Sequence, residues 1–371
     1  MTQRIYSLDV VRGVAIMIMI FVDVPPGVAY PIFIHAPWEG LTFADFAFPG
    51  FVFAMGMSAA VSMAKREPST KKILKRTILL FALGILFNTI SFILALLIRP
   101  DFTATIFFER AIENIRVFGI LQRLALTYAL GIFIARLIRN DIKIFIAAFV
   151  LLIAYSAGFH LYAPDNPFAQ EHNISGAVDC VFPGVNHIYQ PTHDPEGLYG
   201  TFASTASFLF GFTAGKILLD TAAIRDKIFL LTATGGALMI IGGAWNFVDI
   251  IAKKLWTAPF ALITSAVEIF LLVALIILLE NFPRTKKFLQ PFCAAGTNPL
   301  LLFFLVAIVF LLLNTLSSPD AGTNLYVWFF NHTFRNLISP EFGSMIFCAI
   351  FCALWLSFAK FLHGRGIVIK L

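Results

Sequence analysis

Residues 78–98 read ILLFALGILFNTISFILALLI, 21 positions without a charged side chain. A helix rises about 1.5 Å per residue, and the hydrocarbon core of a bilayer is about 30 Å thick. The run is therefore long enough to cross it. Lys65, Arg66, Lys71, Lys72, Lys75 and Arg76 stand just before it, against a single acid, Glu67. An apolar run behind a basic cluster predicts a transmembrane helix whose basic end stays in the cytoplasm.

Working outward, the same pattern predicts further spans at 8–28, 43–64, 117–138, 142–162, 198–219, 228–250, 257–279, 296–313 and 342–362, about ten in all. The segment 325–338 is too short and polar to span and reads as interfacial. Basic residues recur in alternate loops: Arg136, Arg139 and Lys143; Lys216, Arg225 and Lys227; Arg284, Lys286 and Lys287; Arg365 and Lys370. The loop at about 160–197 has no lysine or arginine, but carries Asp165, Glu171, Asp179, Asp194 and Glu196. This alternation puts that loop outside and both termini in the cytoplasm. Two stretches fit less well: the mixed segment with Arg99, Asp101, Glu109, Arg110, Glu113 and Arg116, and the outer pair Lys253 and Lys254.

Composition agrees. The chain of 371 residues is 59% hydrophobic and 13% charged, where a soluble domain is about a quarter charged. No polar stretch is long enough for a second, soluble domain. The expectation is one all-α, polytopic transmembrane helical bundle over 1–371. The net charge of +6 belongs to cytoplasmic loops and does not point to nucleic acid. The four cysteines have neither a disulfide framework nor metal-ligand spacing, so no metal is expected. The first apolar run reads as a retained span and not as a cleaved signal. No internal repeat of the transporter kind is evident.

Ionisable groups near membrane depth invite a functional reading. Asp9 and Arg12 can pair on one helix face. Asp23 precedes the breaker Pro25-Pro26-Gly27. His35 is the leading candidate, because an imidazole accepts and returns a proton near neutral pH and can also carry an acyl group. Trp38, Glu39 and Asp45 follow it, and a carboxylate on its second nitrogen would set the tautomer. Gln122 and Arg123 open the fourth span, where arginine wants an anion. Asp194 and Glu196 open the sixth, either as a helix cap or as ligands for a substrate hydroxyl or amine. Asn298 either caps the ninth or lines a cavity. Asn173-Ile174-Ser175 matches a glycosylation sequon.

These residues carry a resemblance. The segments are Ser7-Leu8-Asp9 with Arg12-Gly13, HAPWEGLTFADFAFPGFVFAMG (35–56), GILQRLALTY (119–128), NHIYQ (186–190), DPEGLYGTFAS (194–204), GFTAGKIL (211–218), KKLWT (253–257) and GTNPLLLF (296–303). In these the chain resembles heparan-alpha-glucosaminide N-acetyltransferase and its bacterial relatives. The resemblance implies a transmembrane acetyltransferase that takes acetyl-CoA from the cytoplasm and acetylates the amine of a glucosamine-like sugar on the far side. It puts the active histidine at His35 and an activity-linked asparagine at Asp23, a departure that adds a charge. It makes Lys370 the penultimate lysine of the family. The animal enzyme's luminal N-terminal domain and extra leading span have no counterpart here, which implies a bacterial member of the inner membrane.

A basic mouth should hold the phosphates of coenzyme A, and Arg123, Gln122, Arg365 and Lys370 are the candidates for it. Trp38, Glu39, Asp45, Asp194, Glu196 and Asn298 are the candidates for the acceptor. Phenylalanine-rich faces suit lipid or a second copy, so a homodimer is among the expectations. Two other readings fit the same residues: an O-acyltransferase of a surface glycan, and a small-solute transporter.

Overall fold

The computed structural model describes residues 5–98, 103–316, 318 and 323–369; Arg99, Asp101 and Lys370 lie outside them. In chain order the helices are α1 (Tyr6–Asp23), α2 (Ala47–Lys65), α3 (Thr70–Ile98), α4 (Ala104–Asn114), α5 (Ile120–Ile138), α6 (Asp141–Tyr162) and α7 (Ile174–Asp179). They continue with α8 (Thr201–Leu219), α9 (Ile224–Trp245), α10 (Ala258–Asn281), α11 (Thr285–Thr297), α12 (Pro299–Thr315), α13 (Leu325–Thr333) and α14 (Pro340–Gly364). Among the described residues there is no β-strand, only isolated bridges at Gly40–Ala252 and Gln190–His193. The expected all-α class holds. In lipid each backbone group needs an internal partner, which favours helices. Local side chains mark their starts: Asn140, Asn173, Asn324 and Ser339 each accept a hydrogen bond from the backbone of the first turn.

Eight helices among the described residues are long and apolar enough to span, or nine if α11 and α12 count as one broken span. This is fewer than the ten or so expected. The span expected at 8–28 falls on α1, whose 18 residues carry Asp9, Arg12 and Asp23. The span expected at 296–313 is split, because α11 and α12 meet at 80°. Pro299 causes the break: it lacks an N–H and drives the preceding residue out of the helical region. Asn298 accordingly sits at φ −131°, ψ 45°. The opening stretch lies in α3, few of whose apolar residues are buried within the protein, as a lipid-facing helix should be.

The chain divides into two compact units. The first holds residues up to His35, Thr42–Phe51, and the chain from Ala274 on. Here α1 crosses α11 at two glycines. A Cβ on Gly13 would strike the backbone of Phe292, and one on Gly296 the carbonyl of Asp9. Small residues let helix backbones approach this closely. Asp9 pairs with Arg12 at 3.4 Å. The nine-residue α13 is too short to span, and its Tyr326 hydroxyl donates to the Val24 carbonyl just past α1. The second unit holds Ala36–Leu41 and Val52–Val273. In it α8 packs on α5 and α6, and α3 packs on α5. Thr127 of α5 and Ser204 of α8 join their buried hydroxyls at 2.7 Å.

Candidate active site

In the first unit, three of the expected residues meet. Asp23 is the last residue of α1, stopped by the prolines that follow. His35 comes just after a short helical turn, Pro31–Phe33, whose Phe33 ring packs edge-on against Phe21 at 5.0 Å and Phe43 at 5.8 Å. Asp45 lies in the turn Phe43–Phe46 and is fully buried. Its Oδ2 accepts from the Thr42 backbone and hydroxyl, both at 3.0 Å. Its Oδ1 stands 2.9 Å from His35 Nδ1. A carboxylate only accepts, so Nδ1 carries the proton and donates, and Nε2 keeps its lone pair. Nε2 faces Asp23 Oδ1 at 3.7 Å, too long for a hydrogen bond. The His35 side chain is 40% exposed, against 0% for Asp45. The group is thus an open imidazole oriented from behind by a buried carboxylate.

Trp38 and Glu39 belong to the second unit. Trp38 donates from Nε1 to the Phe168 carbonyl at 2.9 Å, and its ring meets His193 edge-on at 5.0 Å. Lys254 Nζ lies 5.9 Å from the Trp38 ring centre. The segment Ala36–Leu41 is fixed by Gly40 donating to the Ile251 carbonyl at 2.8 Å. Glu39 is exposed. Burial pushes the His193 imidazole down to about 4, with Lys254 adding to the shift and Asp194 opposing it.

Asp194 and Glu196 are already engaged. Arg116 donates to Asp194 Oδ2 at 3.0 Å and Oδ1 at 2.5 Å, and also to Glu196 Oε2. Asp194 further accepts from the backbone of Tyr189 and Glu196, each at 2.9 Å. Burial works against the Arg116 charge, but the two carboxylates outweigh it and hold the group above its usual value. Asp194 thus closes the loop, each of its two oxygens taking two donors.

Other expectations also change. Gln122 and Arg123 are adjacent on α5, so they point about 100° apart. Gln122 lies against Gly84 of α3, while Arg123 lies against Gly200. Arg123 donates to the Gly197 carbonyl at 2.8 Å and is 1% exposed. It is one turn into α5, about 20 Å along the helix from Arg136. Arg136 pairs with Glu67 at 2.8 Å, among the basic loops. Arg123 and Gln122 thus stand well along α5 from the basic end of that helix. Asn298 makes no side-chain cap; its amide donates to the Ile367 carbonyl and accepts from Ile369, both at 2.8 Å, and so grips the tail. Arg365 is exposed and covers the Phe361 ring at 5.3 Å. Lys370 lies outside the described residues. Asn173 is 2% exposed, and its side chain caps α7 and donates to Ala169, so the sequon offers no amide to a sugar.

One cluster escaped the sequence reading. Ser156 donates to Asp249 Oδ2 at 2.6 Å, and His160 Nε2 meets Asp249 Oδ1 at 2.8 Å. Ser156 and His160 are four apart on α6, a spacing that puts them on one face. That was a readable signal; their partner 89 positions after His160 was not.

Comparison with known proteins adds an independent line. A family model described as heparan-alpha-glucosaminide N-acetyltransferase, catalytic, matches residues 4–218. The chain is 28% identical over 333 residues to heparan-alpha-glucosaminide N-acetyltransferase of Homo sapiens, covering 73% of this chain and 48% of that protein. It is 27% identical over 335 residues to the Mus musculus protein of the same name, covering 74% and 49%. The chain thus spans about half the length of the curated relatives it matches.

Proposed function

The chain belongs to the heparan-alpha-glucosaminide N-acetyltransferase catalytic family, and on that premise we propose that it is a membrane acetyltransferase moving an acetyl group from acetyl-CoA to the amine of an amino sugar. The observation that carries the reading is the Asp45–His35–Asp23 arrangement. It supports two routes. In the direct route the amine nitrogen attacks the thioester carbon, its proton passes to His35 Nε2, the C–S bond breaks, and the thiolate leaves with that proton. In the stepwise route Nε2 attacks first and holds the acetyl group until the amine takes it. Either way imidazole gains positive character, which the buried Asp45 carboxylate stabilises. Asp23 is half-exposed and beside Nε2, a good place to draw in the ammonium form of the acceptor and take its proton.

The proposed acceptor is an amine rather than a hydroxyl, because Asp23 adds a negative charge where a cationic substrate group would arrive. Acetyl-CoA is proposed to come from the side of the basic loops, with Arg365 and Lys370 as candidates for its phosphates.

The test is transfer of labelled acetyl from acetyl-CoA to a panel of amino sugars by the purified full chain. Wild type should label the amine, and His35→Ala should not. Transfer that survives the substitution removes His35 from the chemistry. Label on a hydroxyl in place of the amine establishes the O-acyltransferase reading, and sugar uptake into proteoliposomes without acetyl-CoA establishes the transporter.

A further inference from the structure

Arg123 poses a separate problem within the second unit. Among the described residues, no acceptor meets its Nε or Nη1, although both atoms are buried. Its Nη2 holds the Gly197 carbonyl, which carries no net charge. The guanidinium is backed by the indole of Trp256, 5.5 Å from its Cζ. Gly200 has no side chain to shield it, and a Cβ there would come within 3.0 Å of Nη1. Gly197 also packs on the carboxylate of Asp179, whose Oδ2 is buried without a partner among the described residues.

A second observation concerns Trp256 itself. Its φ is +53°, a left-handed conformation that a bulky residue rarely adopts. Such strain persists only where surroundings over-determine it, and it clusters at ligand sites. Here the surroundings do so. Ala252 donates to the Thr257 hydroxyl at 3.0 Å, the Trp256 backbone donates to the Lys253 carbonyl at 2.9 Å, and the indole donates to the Ser207 hydroxyl at 3.1 Å. The Tyr155 hydroxyl holds the Leu255 carbonyl from α6. The loop is built to keep an indole over a buried cation. Glu196, Asp179 and Asp194 offset the charge through space, but none of them bonds Nε–H or Nη1–H, and a buried donor left unmade is costly.

We propose that Arg123, backed by Trp256, is the receptor of a small oxyanion, bound through its Nε–H and Nη1–H donors. The oxyanion is a carboxylate or a phosphate, and both offer the planar or forked oxygens that guanidinium prefers. The site stands on the second unit alone and does not depend on His35 or on acetyl transfer.

The full chain, purified in detergent at pH 8, is melted in chloride buffer while acetate or phosphate replaces chloride at constant ionic strength. The wild-type midpoint should rise saturably with one of the two, and the one that acts names the ligand chemistry. Arg123→Gln should abolish the response, and Arg123→Lys should weaken the apparent affinity by about tenfold. Asp179→Asn removes a neighbouring negative charge, present at pH 8 although burial raises that carboxyl to about 7. It should tighten the affinity by about threefold or more. A wild-type midpoint indifferent to the exchange, or a response that survives Arg123→Gln, overturns the proposal. If Arg123→Gln does not fold, Asp179→Asn decides: an unchanged or weaker affinity in that variant overturns it equally.

Discussion

Asp45→Asn separates orientation of His35 from the folding of the turn that carries it. Asparagine keeps the shape of the side chain. Its oxygen can still accept from Thr42, whose backbone and hydroxyl now bond Asp45 Oδ2 at 3.0 Å. The capping of the turn therefore survives. What changes is the atom 2.9 Å from His35 Nδ1, which becomes an NH₂ in place of an oxygen. Two donors cannot face each other, so Nδ1 must become the acceptor and Nε2 must take the proton. Nε2 then has no lone pair, neither for an amine proton nor for an acetyl group. Loss of the charge-assisted hydrogen bond alone is worth about 1.5–3 kcal/mol, or up to about a hundredfold in rate. Holding the wrong tautomer takes the fall in kcat toward about 10⁴-fold, by analogy with the triad of serine proteases. The assay is the initial rate of labelled acetyl transfer, read beside a melting curve. The expected result is a fall of at least a hundredfold in kcat with the melting midpoint within a few degrees. A variant that keeps wild-type turnover would refute the claim that Asp45 sets the tautomer.

Three further outcomes follow from the packing. Gly296→Leu should separate α1 from α11, since its Cβ would strike the Asp9 carbonyl; a loss of about 1–3 kcal/mol or more is expected in urea or thermal unfolding. Arg116→Ala leaves Asp194 buried without its cation, at about 3 kcal/mol, whereas Arg116→Ala with Asp194→Ala should recover part of that loss in a double-mutant cycle. Stability against pH should show two opposed slopes. Asp179 binds its proton more tightly when folded, raised from 3.8 to about 7 by burial, so its stabilising share is present at low pH and lost as pH rises from about 4 to 7. His193 is lowered from 6.5 to about 4, chiefly by burial, so its share is gained as pH rises from about 4 to 6.5. The two oppose each other below 6.5, and Asp179→Asn should therefore leave a stability that climbs from pH 4 to 6.5; a melting midpoint independent of pH in that variant contradicts the assignment.

The amino-acid sequence by itself determined most of the long apolar helices. An uncharged run of bilayer length such as 78–98 has no other way to satisfy its backbone in lipid, and that requirement is local. It also brought forward His35, Asp23 and Asp45, because a histidine and two carboxylates within a short stretch of an apolar chain stand out by type alone. Tertiary structure alone decided what each polar residue meets. Arg116 sits in a mixed segment that fits the alternation of loop charge poorly, and it pairs with Asp194 from 78 positions away. Asn298 looks like a helix cap, yet it grips a tail about 70 residues later. Arg123 and Gln122, neighbours in sequence, look to different parts of the chain because successive helical side chains diverge by about 100°. The physical reason is one of range. Hydrophobic length acts within a segment and is written there, whereas the partner of a charge depends on which helix ends and loops are brought together, and chain spacing does not encode that.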